Sequence, residues 1–223
     1  MRIGLGMVAS VVAAMMLQAC ATESSRTLEV PKVVSAGTPY QGVRSPVAVG
    51  KFDNRSSYLR GVFGNGTDQL GGQARTILVG HLQQSNRFTV LDRDNLSEIS
   101  QEAKIAGSAS ALQGANYVIT GDVTEFGRKE IGDKALFGLL GRGKSQIAYA
   151  KVGLNIVDVS TSVVVHSVQG SGEYSLSNRE IIGFGGTASY DSTLNGKVLD
   201  LAVREAVNNL VTAIETGAWK PSR

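Results

Sequence analysis

Gly138-Leu139-Leu140-Gly141-Arg142-Gly143-Lys144-Ser145-Gln146-Ile147-Ala148-Tyr149-Ala150-Lys151-Val152-Gly153-Leu154-Asn155-Ile156 admits two readings that lead to different folds. Its first eight residues fit G-x-x-x-x-G-K-[ST], the phosphate-cradling loop, which works only where a strand delivers it and a helix follows. The residues after Ser145 do not repeat like a helix. Ala148, Ala150, Val152, Leu154 and Ile156 share one parity, and Ile147, Tyr149, Lys151, Gly153 and Asn155 share the other. A period of two is a strand with one buried face. The run before Gly138 carries Arg128, Lys129, Glu130, Asp133 and Lys134, a poor buried strand. The loop therefore reads as a glycine-rich hairpin tip.

Working outward, Asp158 to Ser162 forms a turn, and Val163 to about Gly172 returns as a strand. Upstream, Pro46 to Phe52 reads as a first strand ended by Asp53-Asn54, followed by a loop with Gly61, Gly64 and Gly66. Leu70, Ala74, Ile77, Leu78 and Leu82 recur at helical spacing and predict a helix over about 68–84. Arg87 to Leu91 is a short strand. A second helix is expected from Asn95, read as its capping residue, through Ile99, Ala103 and Ile105 to Gly107. Tyr117 to Gly121 is the next strand. The last helix carries the stripe Val198, Leu199, Ala202, Ala206, Leu210, Val211 and Ile214, preceded by Asn195-Gly196 and closed by Gly217. The order is β-α-β-α-β, a β-hairpin, then α. The fold class is α+β, a mixed sheet flanked by helices. No repeat of 20–50 residues is visible.

The N-terminus has its own grammar. Met1-Arg2 is a short positive start, and Ile3 to Leu17 is almost wholly apolar. That stretch is too short to span a bilayer and suits a secretory signal. It ends in Leu17-Gln18-Ala19-Cys20, which resembles the lipobox cut by the bacterial lipoprotein signal peptidase. Residues 1–19 are then a lipoprotein signal peptide and Cys20 is the lipid attachment site. Cys20 is the single cysteine of 223 residues, so it has no partner for an internal disulfide. Ala21 follows, not aspartate, which in lipoproteins of enteric type favours the outer membrane. Residues 20–45 are polar, contain Pro31, Gly37 and Pro39, and read as a lipid-anchored tether or as an arm that packs on a neighbouring subunit. Residues 46–219 are one α/β domain.

Catalysis finds little footing. His81 and His166 lie in a helix and a strand without a third ligand at metal-like spacing. The only thiol is committed to lipid. Asp92-Arg93-Asp94 and Glu173 read as solvated turn residues, not as paired acid–base carboxylates. No enzyme activity, metal or cofactor is expected. The net charge is +3 and no basic run appears, so neither nucleic acid nor nucleotide is an expected partner.

Two segments read as amphipathic hairpins. Between Gly170 and Tyr190, Tyr174, Leu176, Ile182, Phe184, Ala188 and Tyr190 share one parity, interrupted by Asn178 and Glu180, while small polar residues take most of the other. That is how a membrane β-hairpin is written. Gly127 to Ala150, with Tyr149, is the second such candidate, although charges between Arg128 and Lys134 occupy both parities. An amphipathic hairpin on a soluble domain is the other reading.

The lipobox, Val157-Asp158-Val159-Ser160-Thr161 at a strand turn and Ile214-Glu215-Thr216-Gly217-Ala218-Trp219 at the end together resemble the curli-secretion lipoprotein family, of CsgG and HfaB type. The resemblance covers roughly Pro46 to Trp219. It implies a periplasmic domain with two inserted hairpins, here about 126–150 and 170–193, and subunits joined as a homo-oligomeric ring whose hairpins form one outer-membrane barrel. It also implies export or anchoring of surface fibres or adhesins without nucleotide hydrolysis. By position, Phe52 to Gly66 would hold the family's constriction loop. Secreted fibre or adhesin subunits and other envelope lipoproteins are the implied partners. The rival expectation is a periplasm-facing accessory lipoprotein that regulates a partner such as a cell-wall synthase and forms no pore.

Overall fold

A computed structural model describes residues 30–58, 68–108, 111–134, 142–179 and 193–222, with the backbone alone at 130–134, 142–145, 176–179 and 193. The chain divides into residues 1–31 and a compact unit from Lys32 to Arg223. That unit contains β1 (Ser45–Asn54), α1 (Gln69–Ser85), β2 (Phe88–Leu91), α2 (Leu96–Ile105), β3 (Tyr117–Lys134), β4 (Arg142–Asp158), β5 (Val164–Arg179) and α3 (Thr193–Glu215). The sheet order is β2-β1-β3-β4-β5. β1 pairs in parallel with β2 and β3, and β3-β4-β5 is an antiparallel run. The fold is the expected α+β, a mixed sheet with helices.

The two-residue period sorts β4 as the sequence predicts: Ala148, Ala150, Val152, Leu154 and Ile156 are all buried. Over them lies α3, whose Val198, Leu199, Ala202, Ala206 and Leu210 are fully covered. α1 joins the same core through Leu70, Ala74, Leu78 and Leu82. It starts at Asp68, whose side chain accepts the Gly71 N–H at 2.8 Å, and ends at Asn86 in the left-handed region. Burying a leucine such as Leu78 or Leu154 contributes roughly 1.5–3 kcal/mol. α3 lies so close to β5 that a Cβ on Gly170 would collide with the backbone of Ala202 and Ala206, and one on Gly172 with Val198 O and Ala202 N. Only glycine permits this approach.

The β1 strand is interrupted between Val49 and Phe52, where its register to β3 shifts. Arg75 of α1 donates to the carbonyls of Val49 and Gly50 at 2.8 and 3.0 Å there, pairing groups that the bulge would otherwise leave to solvent. At the other end Trp219 meets Phe88, Tyr117 and His166, with ring centroids 6.4, 5.3 and 5.9 Å away. Tyr117 Oη accepts the Ser222 N–H at 2.9 Å. The residues after α3 are thus fastened to the sheet.

Several boundaries differ from the sequence expectation. β3 does not stop at Gly121 but runs to Lys134, and β5 runs to Arg179 instead of Gly172. Residues 127–134 and 142–150 pair in register and continue the core strands β3 and β4. α3 already includes Asn195-Gly196. Asn95 stands at the start of α2 but makes no capping bond. Asp92 does the local work instead, accepting from the Asp94 and Asn95 backbone and from Asn95 Nδ2. The apolar residues of α2 form no core either: no residue of that helix is buried. The packed unit also begins ahead of Pro46. Val33 is buried, and the Val34 N–H donates to Asn208 Oδ1 on α3 at 3.0 Å.

Candidate functional site

With α1 and α3 on one face of the sheet, the opposite face of β3, β4 and β5 is where polar chemistry collects. Glu125, Lys129, Tyr149, Lys151 and Glu173 line a shallow groove of about 590 Å³ there. Tyr149 lies over Gly127, its cross-strand partner, where any Cβ would strike the phenol. The Lys129 ammonium sits 5.1 Å from the Tyr149 ring centroid, an arrangement worth about 0.5–1 kcal/mol at an exposed site. Lys151 reaches Glu125 at 3.7 Å, both largely exposed, so this pair contributes about 0–1 kcal/mol. A groove of mixed sign on a sheet face suits recognition of another polar surface, not acid–base chemistry.

The register gives this region a clear edge. Arg128, Ala148 and Tyr174 stand in one row across β3, β4 and β5. In that row Arg128 donates to Asn195 Oδ1 on α3 at 2.7 Å, Ala148 is fully buried, and Tyr174 packs on the core with Lys197 of α3 5.1 Å from its ring. Beyond the row the pairing of the three strands continues to Lys134–Arg142 and Gly143–Arg179.

The hairpin residues singled out in the sequence divide accordingly. Tyr149 pairs with Glu173, so Tyr149 and Tyr174 fall on opposite faces of the sheet: Tyr149 in the groove, Tyr174 against the core. Leu176 occupies a backbone position in β5 opposite Gln146. Cys20, Ile182, Phe184 and Tyr190 lie outside the described residues, as does the return arm of the second hairpin. Most of the Phe52–Gly66 tract lies outside them too. In the phosphate-loop string, Arg142 to Ser145 belong to β4, so a strand stands where a nucleotide site needs a helix.

The histidines are engaged in packing. His81, buried between α1 and α3, meets Asp200 Oδ1 at 2.9 Å through Nε2 and Gln84 Oε1 at 3.4 Å through Nδ1. His166 stacks on Trp219. Among the described residues no group of three His, Cys, Asp or Glu side chains could hold a metal ion. No described helix is long and apolar enough to cross a membrane.

Sequence reasoning passed over Arg87. Read as the first residue of a strand, it is buried, paired with Glu215 and bonded to Ser85 O at 3.1 Å and Thr38 Oγ1 at 3.0 Å, with Tyr40 stacked at 4.7 Å. It joins the 32–40 segment to the end of α3. The available signal was the single carboxylate in Ile214-Glu215-Thr216, since a buried guanidinium requires such a partner.

The model of the family "Curli production assembly/transport component CsgG" matches residues 28–222. The chain belongs to the CsgG family. A similar protein from Neisseria meningitidis serogroup B (strain ATCC BAA-335 / MC58), named "Putative lipoprotein NMB1126/NMB1164", is 67% identical over 211 residues, 95% of each chain. Two solved structures are similar at low identity. The PelC dodecamer from Paraburkholderia phytofirmans is 14% identical, with TM-score 0.35 and coverage of 79% of this chain and 95% of that one. Lipoprotein GNA1162 from Neisseria meningitidis is 15% identical, with TM-score 0.31 and coverage of 77% and 99%. The CsgG-family chain described here is thus a CsgG-like lipoprotein with a mixed five-stranded sheet.

Proposed function

We propose that this lipoprotein carries its lipid on Cys20, sits at the outer membrane facing the periplasm, and acts there as a homo-oligomeric ring in export or anchoring of surface fibres or adhesins. One observation carries the reading: α1 and α3 pack on one face of the sheet, and the opposite face of β3–β5 holds a groove of mixed charge suited to a protein neighbour. A subunit that uses one patch of its surface against a different patch of the next closes into a ring where the rotation permits. Family membership and the Leu17–Cys20 lipobox support the cellular setting. In this reading the protein does no covalent chemistry, and its partners are copies of itself and secreted fibre or adhesin subunits.

The test is the assembly state of the full lipidated protein, extracted in mild detergent and viewed by negative-stain electron microscopy. Rings with a stain-filled centre are expected. A uniform population of monomers or dimers would overturn the ring and favour a partner-regulating accessory lipoprotein. Palmitate labelling that survives Cys20→Ala would overturn the anchor.

A further inference from the structure

On the helix-covered side of the sheet, the segment that leads into β1 closes a cavity against α3. Residues 33–38 fold into consecutive turns. The Ala36 N–H donates to Val33 O at 3.0 Å, the Thr38 N–H and Oγ1 donate to Ser35 O at 3.1 and 2.7 Å, and Gly37 takes a φ of +76°. Between these turns and the carboxyl-terminal part of α3 lies a space of about 370 Å³. Val34 and Val211 give it apolar walls, and Ser35, Asn208, Arg87 and Glu215 give it polar ones.

The two charges cancel. Arg87 donates to Glu215 Oε1 through both Nε and Nη2, and its remaining bonds go to Thr38 O, Thr38 Oγ1 and Ser85 O. The guanidinium is thereby fully engaged, and an anion finds no donor on it. Other groups are left over. Ser35 is 6% exposed, and its Oγ is buried without a hydrogen-bond partner. Among the described residues nothing bonds to Glu215 Oε2, or to Nδ2 of Asn208, whose Oδ1 accepts the Val34 N–H at 3.0 Å. A buried hydroxyl without a partner costs about 1–3 kcal/mol, and such a group calls for one.

We propose that this cavity binds one uncharged N-acetylated sugar unit of an envelope glycan. The inference uses only the export of the chain, not the ring or its cargo. Neutral walls give a charged ligand no advantage. The free carboxylate oxygen accepts from a sugar hydroxyl, a hydrogen bond of the stronger, charge-assisted kind. The acetamido carbonyl accepts from the Ser35 hydroxyl or the Asn208 amide, and its methyl lies against Val34 and Val211. The volume falls at the lower end of the roughly 300–1,000 Å³ of small-molecule sites, which suits one ring and not a chain. Because Ser35 belongs to the segment joining tether to domain, occupancy also holds that segment on α3.

The full lipidated chain, in a detergent without sugar headgroups, is titrated with N-acetylglucosamine and followed by saturation-transfer NMR. Transfer strongest at the acetamido methyl is expected. Glucose should bind about five-fold more weakly or less, and putrescine and acetate should not bind. Ser35→Ala should weaken N-acetylglucosamine about five- to ten-fold. Its urea midpoint without sugar should be unchanged or higher, because the variant removes a hydroxyl that folding leaves unpaired. Ser171→Ala, in the groove on the other face, should alter neither. The sugar should also compete the chain off cell-wall sacculi or off purified envelope glycolipid, which identifies the polymer that carries the unit. No transfer, transfer indifferent to Ser35→Ala, or competition from neither polymer would overturn the proposal. So would equal binding of glucose, or of N-acetylalanine methylamide, the signature of a peptide site. A lowered midpoint for Ser35→Ala would overturn it as well, by showing that the hydroxyl already has a partner.

Discussion

The same three strands live in two environments on either side of the Arg128–Ala148–Tyr174 row. On the covered side, alternation is strict: every inward residue of β4 from Ala148 to Ile156 is buried, and β5 presents Gly170 and Gly172 to the α3 backbone. On the overrunning side, past the contacts of α3 with Arg128 and Tyr174, the sequence turns to charge. Strand pairing is continuous across the boundary, so hydrogen bonding alone does not distinguish the halves. The difference lies in what covers the sheet. A backbone ladder specifies length, and only a packed layer specifies which residue must be apolar.

Substitutions along these strands can break this contrast. Gly170→Val should have the largest effect, because its branched side chain would enter backbone atoms of Ala202 and Ala206. A loss of about 3 kcal/mol or more in urea unfolding is expected. Leu154→Ala, within the core, should cost about 2–5 kcal/mol by the same measurement. Ile147→Ala lies one residue past the boundary on the same strand, half-exposed. It should cost about 1 kcal/mol or less, since its apolar area is only partly removed from water. If Ile147→Ala matches Leu154→Ala, the overrunning half is covered by something in solution and the contrast fails. Lys144→Gln should stay within about 0.5 kcal/mol.

The smallest expected effect concerns the turn that joins the covered ends of β4 and β5. Hydrogen bonds from the Ser160 hydroxyl, then from the Thr161 backbone and hydroxyl, hold the Asp158 carboxyl below its ordinary value of 3.8. A carboxyl lowered in the folded state stabilises the fold above its unfolded value, and that contribution disappears as pH falls through the folded value. The turn should thus loosen in acid before the sheet does. Carboxyl NMR titration should place Asp158 below 3.8, and Ser160→Ala should move it upward.

Much of the covered half was legible in the sequence because period and environment agree there. The Ala148–Ile156 alternation, the Leu70–Leu82 stripe and the Val198–Ile214 stripe each announce an element and its inward face. The strand ends were not legible. Between Arg128 and Lys134, charges at both parities erase the alternation, and the pairing to Lys134 is imposed by the partner strand. Asn195-Gly196 reads as a helix boundary locally, yet Asn195 accepts the Arg128 guanidinium from a distant strand. Val33 and Arg87 were missed for a related reason: their burial depends on α3, more than a hundred residues away. Of the candidate site, Tyr149 and Tyr174 could be named from sequence. Their placement on opposite faces needed the β4–β5 register.

The position of α3 also sets a timetable. Trp219 and Ser222, together with the stripe from Leu194 to Val211, complete a core begun by Val47 and Leu70. A chain threaded through a translocon with its amino end leading would emerge with β1 to β5 present and their apolar face uncovered. The core can close only once the final thirty or so residues arrive, and such late, long-range closure is slow. In a chain exported that way, the carboxyl-terminal helix would act as a completion signal: the fold would be committed only after passage is over.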